Sequence, residues 1–248
     1  MYLSRREIEK IALRVTDAYE ALEGGADRIE PVTLAEKLLG LSLDYSHSLS
    51  VSGAALGLTS FEPGYVIVYD TGAPCFFEVD GRTVLIERYL KENPRYTGRM
   101  NFTIAHEAAH HVLAMLFPDE YTSRGKYRVV YNMSGRAGSW EEWQANALAS
   151  AMLLPEKQLR TAIRRFGLGE RLYRLNRVFE PDGYGRFSAM AVYFGVSKKA
   201  LAIRMKQLGL LEQDCLDDPY RIIRAEVSDE EEYGNGEGER AGDRSRKV

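Results

Sequence analysis

The chain has 248 residues, 45% hydrophobic and 28% charged, a balance that excludes a coiled coil, a collagen-like fibre and a wholly disordered chain. Its 33 basic and 36 acidic side chains leave a formal charge of −3, so no overall field draws it onto nucleic acid and any basic surface must be local. The two cysteines, Cys75 and Cys215, stand far apart and outside any C-x-x-C pair, which argues against a disulfide framework or a thiolate metal site and fits a reducing cytoplasm. The stretch Met1 to Lys10 is charged from Arg5 onward and holds no apolar core of a secretory signal. The longest apolar runs, such as Val112 to Phe117, fall far short of the roughly 18 residues that span a bilayer. The expectation is a cytoplasmic protein without a membrane partner.

Along the chain, Ser4-x-x-Glu7 is a capping-box start, and Ile8, Ile11, Val15 and Tyr19 follow at helical spacing until Gly24-Gly25. Thr33-x-x-Glu36 repeats the signal for a short helix that stops at Gly40, after which Leu41 and Leu43 alternate like a strand. From about Gly57 to Glu87, β-branched and aromatic runs punctuated by Pro63-Gly64 and Asp80-Gly81 predict a small antiparallel sheet. Asp80-Gly81 is read as the turn of a hairpin between Cys75–Val79 and Arg82–Ile86. One long helix is predicted from Arg99 to Phe117, ended by Pro118, and another from Ser139 to Leu154, ended by Pro155. Between them lies a surface excursion with a strand at Tyr127 to Tyr131. Residues 156–178 read as helical and strongly basic, Arg160, Arg164, Arg165, Arg171 and Arg174 forming a solvated face. The last twenty residues, Asp229 to Val248, are acidic, glycine-rich and almost without apolar side chains, the composition of a disordered tail.

The first of the two long helices carries His106-Glu107-Ala108-Ala109-His110, a match to H-E-x-x-H. Two histidines four apart lie about 40° apart on a helix, so both imidazoles can reach one metal ion. Glu107 sits about 100° round, where a carboxylate can act as general base without occupying the ion. Three of the chain's four histidines fall within six residues of one another, in apolar surroundings where imidazoles need partners. A catalytic zinc site takes three protein ligands and keeps a fourth position for water. His111 points away from the metal face and His47 lies in a loop, which leaves a carboxylate as the better third donor. Glu142, in the other long helix, is the candidate, with Asn146 on the same face to bond a ligating histidine. Ala145 and Ala149 are small enough to let the two helices approach. Ser139-x-x-Glu142 is equally a capping box, in which Glu142 would only bond the helix start.

The run Arg99 to Glu107, containing Phe102-Thr103-Ile104-Ala105-His106-Glu107, followed by Glu142-Trp143-Gln144-Ala145-Asn146 and closed by Leu153-Leu154-Pro155, resembles the ImmA/IrrE family of bacterial zinc metallopeptidases. Ala109 stands where a glycine is common in that family, and His111 follows the second ligand directly. The resemblance, over roughly residues 4–213, implies that His106, His110 and Glu142 bind Zn2+, that Glu107 is the general base, and that the reaction is hydrolysis of a peptide bond in a protein substrate. That substrate is expected to be a cytoplasmic DNA-binding transcriptional repressor. Tyr127, Tyr131 and His111 are the candidates for steadying the oxyanion.

The expected fold is α+β. A zinc-peptidase domain of helices and a small antiparallel sheet occupies residues 1–185, a helix-turn-helix-like segment packed on it spans 186–213, and an acidic flexible tail covers 214–248. In the second of these, Ser188 to Phe194, the turn Gly195-Val196-Ser197, and Lys198 to Leu208 have helix-turn-helix texture. The alternative function is therefore a DNA-binding regulator with an incidental zinc site, its Lys198, Lys199, Arg204 and Lys206 touching phosphates. A closed structural zinc module ranks last, because only three ligands are in sight.

Overall fold

The structure is a computed structural model that describes residues 2–121, 130–133 and 140–220. Helix α1 (Arg5–Glu23) begins with the capping box, Ser4 and Glu7 each satisfying the other's backbone N–H, and ends at Gly24 with φ 72°. It buries Ile8, Ala12, Thr16 and Tyr19. Helix α2 (Pro31–Thr33) runs on into a π-helical turn, Leu34–Leu38. Thr33 is inside this helix and caps nothing: Pro31 opens it, because its fixed φ and missing N–H suit a first turn.

Six strands follow in two sheets: β1 (Ser42–Asp44), β2 (Ala55–Thr59), β3 (Pro63–Val68), β4 (Cys75–Asp80), β5 (Thr83–Ile86) and, further on, β6 (Val130–Met133). The larger sheet has the order β1-β5-β2-β6, with β5 parallel to β1 and antiparallel to β2, and β3 pairs with β4 as a separate antiparallel ribbon. The hairpin expected across Asp80-Gly81 is not made. The chain turns there, Gly81 at φ 81° passing against the backbone of Glu62, and carries β5 into the other sheet. The reason is burial: Val84, Leu85 and Ile86 are each 0% exposed, so β5 needs cover on both faces, which a two-stranded ribbon cannot supply.

Helix α3 (Arg88–Glu92), a 3₁₀ turn and helix α4 (Thr97–Leu116) come next, then α5 (Pro118–Tyr121) and α6 (Trp140–Leu153). Every residue of α4 from Thr103 to Ala114 is buried. A helix buried on all sides is the centre of a fold, and α4 has the larger sheet on one flank and α6 on the other. Ala105, Ala109, Ala145 and Ala149 are all 0% exposed between α4 and α6, where small side chains let the two backbones come close.

The remaining elements are α7 (Glu156–Arg165), β7 (Leu172–Leu175), α8 (Pro181–Tyr193), α9 (Lys198–Gln207) and β8 (Leu211–Asp214), β7 and β8 pairing in parallel. The segment read as helical to residue 178 thus includes a strand, because β8 returns beside it and takes up its backbone groups. One hydrophobic cluster joins α1, α4, α6, α7, α8 and α9. The α8–α9 turn is pressed onto the start of α4: a Cβ on Gly98 would lie 2.7 Å from the Ser197 nitrogen, and Asn101 Nδ2 donates to the Gly195 carbonyl at 2.8 Å. Among the described residues no helix is long and apolar enough to cross a membrane.

The expected basic residues have specific partners. Arg160 pairs with Glu156, Arg165 with Asp27 and Arg171 with Glu212, a chain of surface ion pairs. On α9, Lys198 donates to the Tyr184 hydroxyl and Lys199 meets Asp217. Arg204 is 2% exposed; its guanidinium is forked onto Glu9 and its Nε donates to the Leu154 carbonyl at 3.0 Å, fastening α9 to α1 and to the end of α6. Of the four cations weighed for phosphate contact, Arg204 is inside the protein.

A buried guanidinium deprived of its acid is costly, whereas an apolar replacement of the pair is tolerated. Glu9→Ala is expected to lower stability by about 2–3 kcal/mol, less than a fully buried pair because Glu9 is part-exposed. The double variant Glu9→Ala/Arg204→Met should recover more than half of that loss. Chemical denaturation measures both; a Glu9→Ala variant as stable as the wild type would show that the fork does not hold the C-terminal helices.

Candidate metal centre

The ligand atoms of His106, His110 and Glu142 lie within 4.8 Å of one another. His106 Nε2 is 3.2 Å from one Glu142 oxygen, His110 Nε2 is 3.3 Å from the other, and the two Nε2 atoms are 3.1 Å apart. The helical spacing of the histidines supplies half of this arrangement, and the close packing of α6 on α4 supplies the rest. His106 and His110 are 0% and 1% exposed, and the Glu142 side chain is 23% exposed, so the cluster opens to solvent on the carboxylate side. Burial raises the Glu142 carboxyl, but hydrogen bonds from the two imidazoles outweigh it and hold the group well below the usual carboxylate range. Ser139, the partner in the capping-box reading, lies outside the described residues.

Glu107 is also 0% exposed, and neither of its oxygens has a hydrogen-bond partner among the described residues. Burial first, and then the like charge of Glu142, raise its carboxyl well above the ordinary range. The Nδ1 of His106 is likewise buried without a partner among the described residues. Buried polar atoms are almost always bonded, and the exceptions mark places where a ligand or a reacting group completes the network. Two imidazole nitrogens crowded together against one carboxylate are the borderline-hard donor set that suits a zinc ion, and three donors leave its fourth position open. The residues present therefore fit a catalytic metal.

Sequence reasoning missed the residue that makes room for the base. Gly57, in β2, faces α4, and a Cβ built there would lie 2.4 Å from a Glu107 oxygen and 2.7 Å from the Thr103 methyl. The signal was present as a glycine within a strand-forming run, which marks close approach of another group.

His111 points to β2, its Nε2 2.6 Å from the Thr59 hydroxyl and its ring edge-on to Phe61. Burial, aided by the charges of His110 and Arg82, lowers its pKa to about 4, so it is neutral at physiological pH and acts as a tie between helix and sheet. His47 is in a separate pair, Nδ1 2.6 Å from Asp70. Asn146 lies one turn beyond Glu142 and is solvent-exposed. Tyr131 is in β6, and Tyr127 lies outside the described residues.

Residues 82–206 match a peptidase family model described as the IrrE N-terminal-like domain. That span holds all four residues of the site and half of the chain. No curated protein matches the sequence.

A side chain at position 57 must displace Glu107. Gly57→Ala is expected to lower peptidase activity at least about a hundredfold, the scale of a lost general base, while metal binding persists. Metal content beside turnover of a peptide substrate tests this; wild-type turnover in Gly57→Ala would show that the close approach is immaterial.

Proposed function

Since the chain belongs to the IrrE N-terminal-like peptidase family, we propose that it is a zinc endopeptidase that cleaves a cytoplasmic protein, a DNA-binding transcriptional repressor. The observation that carries the reading is the convergence of His106, His110 and Glu142 beside a buried Glu107 that has no hydrogen-bond partner among the described residues. The repressor as substrate rests on the resemblance of the two motif blocks to ImmA/IrrE peptidases.

In this reading His106, His110 and Glu142 hold the ion. A zinc ion held there would supply Lewis acidity, enough to polarise a carbonyl and to bring the pKa of water from about 15.7 towards about 7. Glu107 accepts the proton of the attacking water as its oxygen bonds to the scissile carbonyl carbon. The same carboxyl then delivers that proton to the amide nitrogen as the C–N bond breaks, so the products are a carboxylic acid and an amine. Ionised, the carboxyl is the base of the first transfer; once protonated, it is the acid of the second. Gly57 keeps the carboxyl in place, and the tie from His111 to Thr59 holds β2 and α4 in the register that this requires.

The test uses metal analysis and cleavage of a co-expressed candidate repressor. His110→Ala should lose both zinc and cleavage. Glu107→Gln should keep one zinc per chain and lose cleavage by roughly 10²- to 10⁴-fold. Cleavage by Glu107→Gln at the wild-type rate would remove the general base from the scheme, and a chain without bound zinc would end the metallopeptidase reading.

A further inference from the structure

A cavity of about 810 Å³ lies between the N-terminal ends of α1 and α4, the length of α9 and the outer face of α6. Its floor is apolar: Leu56, Phe102, Trp143 and Ile203, the last 45% exposed. It adjoins the metal centre on three sides. Phe102 is one helical turn before His106, Asn146 is one turn after Glu142, and Leu56 precedes the Gly57 that abuts Glu107. A helical turn advances only 5.4 Å, so a chain lying in the cavity would reach the ligands within two or three residues.

The charges at the mouth are unequal. The two acids there are neutralised, Glu9 by Arg204 and Glu156 by Arg160. Arg5, Arg6 and Arg99 line the same mouth, are exposed, and have no carboxylate partner among the described residues; Arg99 only overlies the Tyr96 ring. Arg5 and Arg6 begin α1, and Arg99 is in the first turn of α4. Cations at these positions oppose the positive end of a helix dipole, where acids are the favoured residues. Three guanidinia set against that preference around an apolar floor make a surface complementary to an occupant that is both acidic and apolar.

We propose that this cavity docks an acidic, amphipathic segment of the protein substrate, an apolar side chain entering between Phe102, Trp143 and Ile203 while flanking carboxylates meet Arg5, Arg6 and Arg99. The proposal rests on the peptidase reading and adds to it a class of recognition sequence. A protein segment fits better than a nucleic acid, because one face of the Trp143 ring is already covered by Tyr2, stacked at 5.7 Å and 11°, leaving the floor poorly suited to stacking bases. It would also make cleavage selective for proteins carrying that segment, since docking beside the ligands raises the local concentration of the scissile bond.

The test is fluorescence anisotropy with the full-length Glu107→Gln chain, which reads binding without hydrolysis. The probe is a labelled peptide of alternating Glu/Asp and Leu clusters, compared with an isostere carrying Lys in place of the acids. The acidic probe is expected to bind at least roughly tenfold tighter than the basic one, and roughly tenfold more weakly at about 300 mM than at about 50 mM salt. Adding Arg5→Glu and Arg99→Glu should reverse the preference between the two probes, whereas Arg5→Lys/Arg99→Lys should retain it. Ile203→Asn should weaken the acidic probe about fivefold. Equal binding of both probes by the unsubstituted mouth, or a preference unmoved by charge reversal, overturns the proposal. So does tighter binding of a single-stranded oligonucleotide that displaces the peptide. Conversion of Asp229, Glu230, Glu231 and Glu232 to their amides in the full chain gives a further check: a tenfold gain in probe affinity would make the chain's own C-terminal segment the occupant. Zinc content is read separately, so loss of the metallopeptidase reading and loss of the docking site are distinguishable.

Discussion

A helix buried on every side that still carries four ionisable side chains in six positions is the constraint around which this protein is built. Burying His106, Glu107, His110 and His111 without partners would cost several kcal/mol at each, so the surrounding elements are arranged to answer them one by one. Glu142 comes from α6 to the imidazoles of His106 and His110, Thr59 comes from β2 to His111, and Gly57 leaves Glu107 a pocket without a hydrogen-bond partner among the described residues. Each of the three imidazoles meets a partner through its Nε2, and the carboxyl of Glu107 meets none among the described residues. The difference lies in what each neighbour offers, since all four stand on the same stretch of helix.

The alanines between α4 and α6 belong to the same logic. A carboxylate can touch imidazoles on a neighbouring helix only if the two backbones are close, and Ala105, Ala109, Ala145 and Ala149 permit that closeness while adding little side-chain entropy to lose. Around this pair the C-terminal helices are tied by Arg204 to Glu9 and by the tight contact of Gly98 with the α8–α9 turn. The segment with helix-turn-helix texture thus forms a wall of the cavity next to the metal centre. Its most deeply placed cation serves packing, and the turn that in a DNA-binding module sets the angle of a recognition helix here rests on the helix that bears His106 and His110.

Much of the fold was legible in local signals where one residue decides the outcome. The capping box at Ser4 and Glu7 and the glycine stops at Gly24 and Gly40 are each satisfied within a turn of backbone, and they appear as read. The signals that failed needed knowledge of a distant partner. Asp80-Gly81 is chemically a hairpin turn, but its second strand was claimed by β1 and β2, and Leu172–Leu175 became a strand because β8 came alongside. Thr33 was a good cap one turn too late, since Pro31 had already begun the helix.

The candidate site divides along the same line. From the order of residues alone come the two histidines on one helical face, the acid between them and the second helix with its small side chains, because i, i+4 geometry is a property of any α-helix. The resemblance of the two motif blocks named the third ligand, but spacing by itself left Glu142 between a ligand and a cap. The contact of the Glu142 carboxylate with both imidazoles, the removal of His111 and His47 to other partners, and the clearance at Gly57 come from how distant elements pack around α4. Periodicity can say which way a side chain leaves its own backbone; what it meets there is set by elements that the chain brings back from tens of residues away.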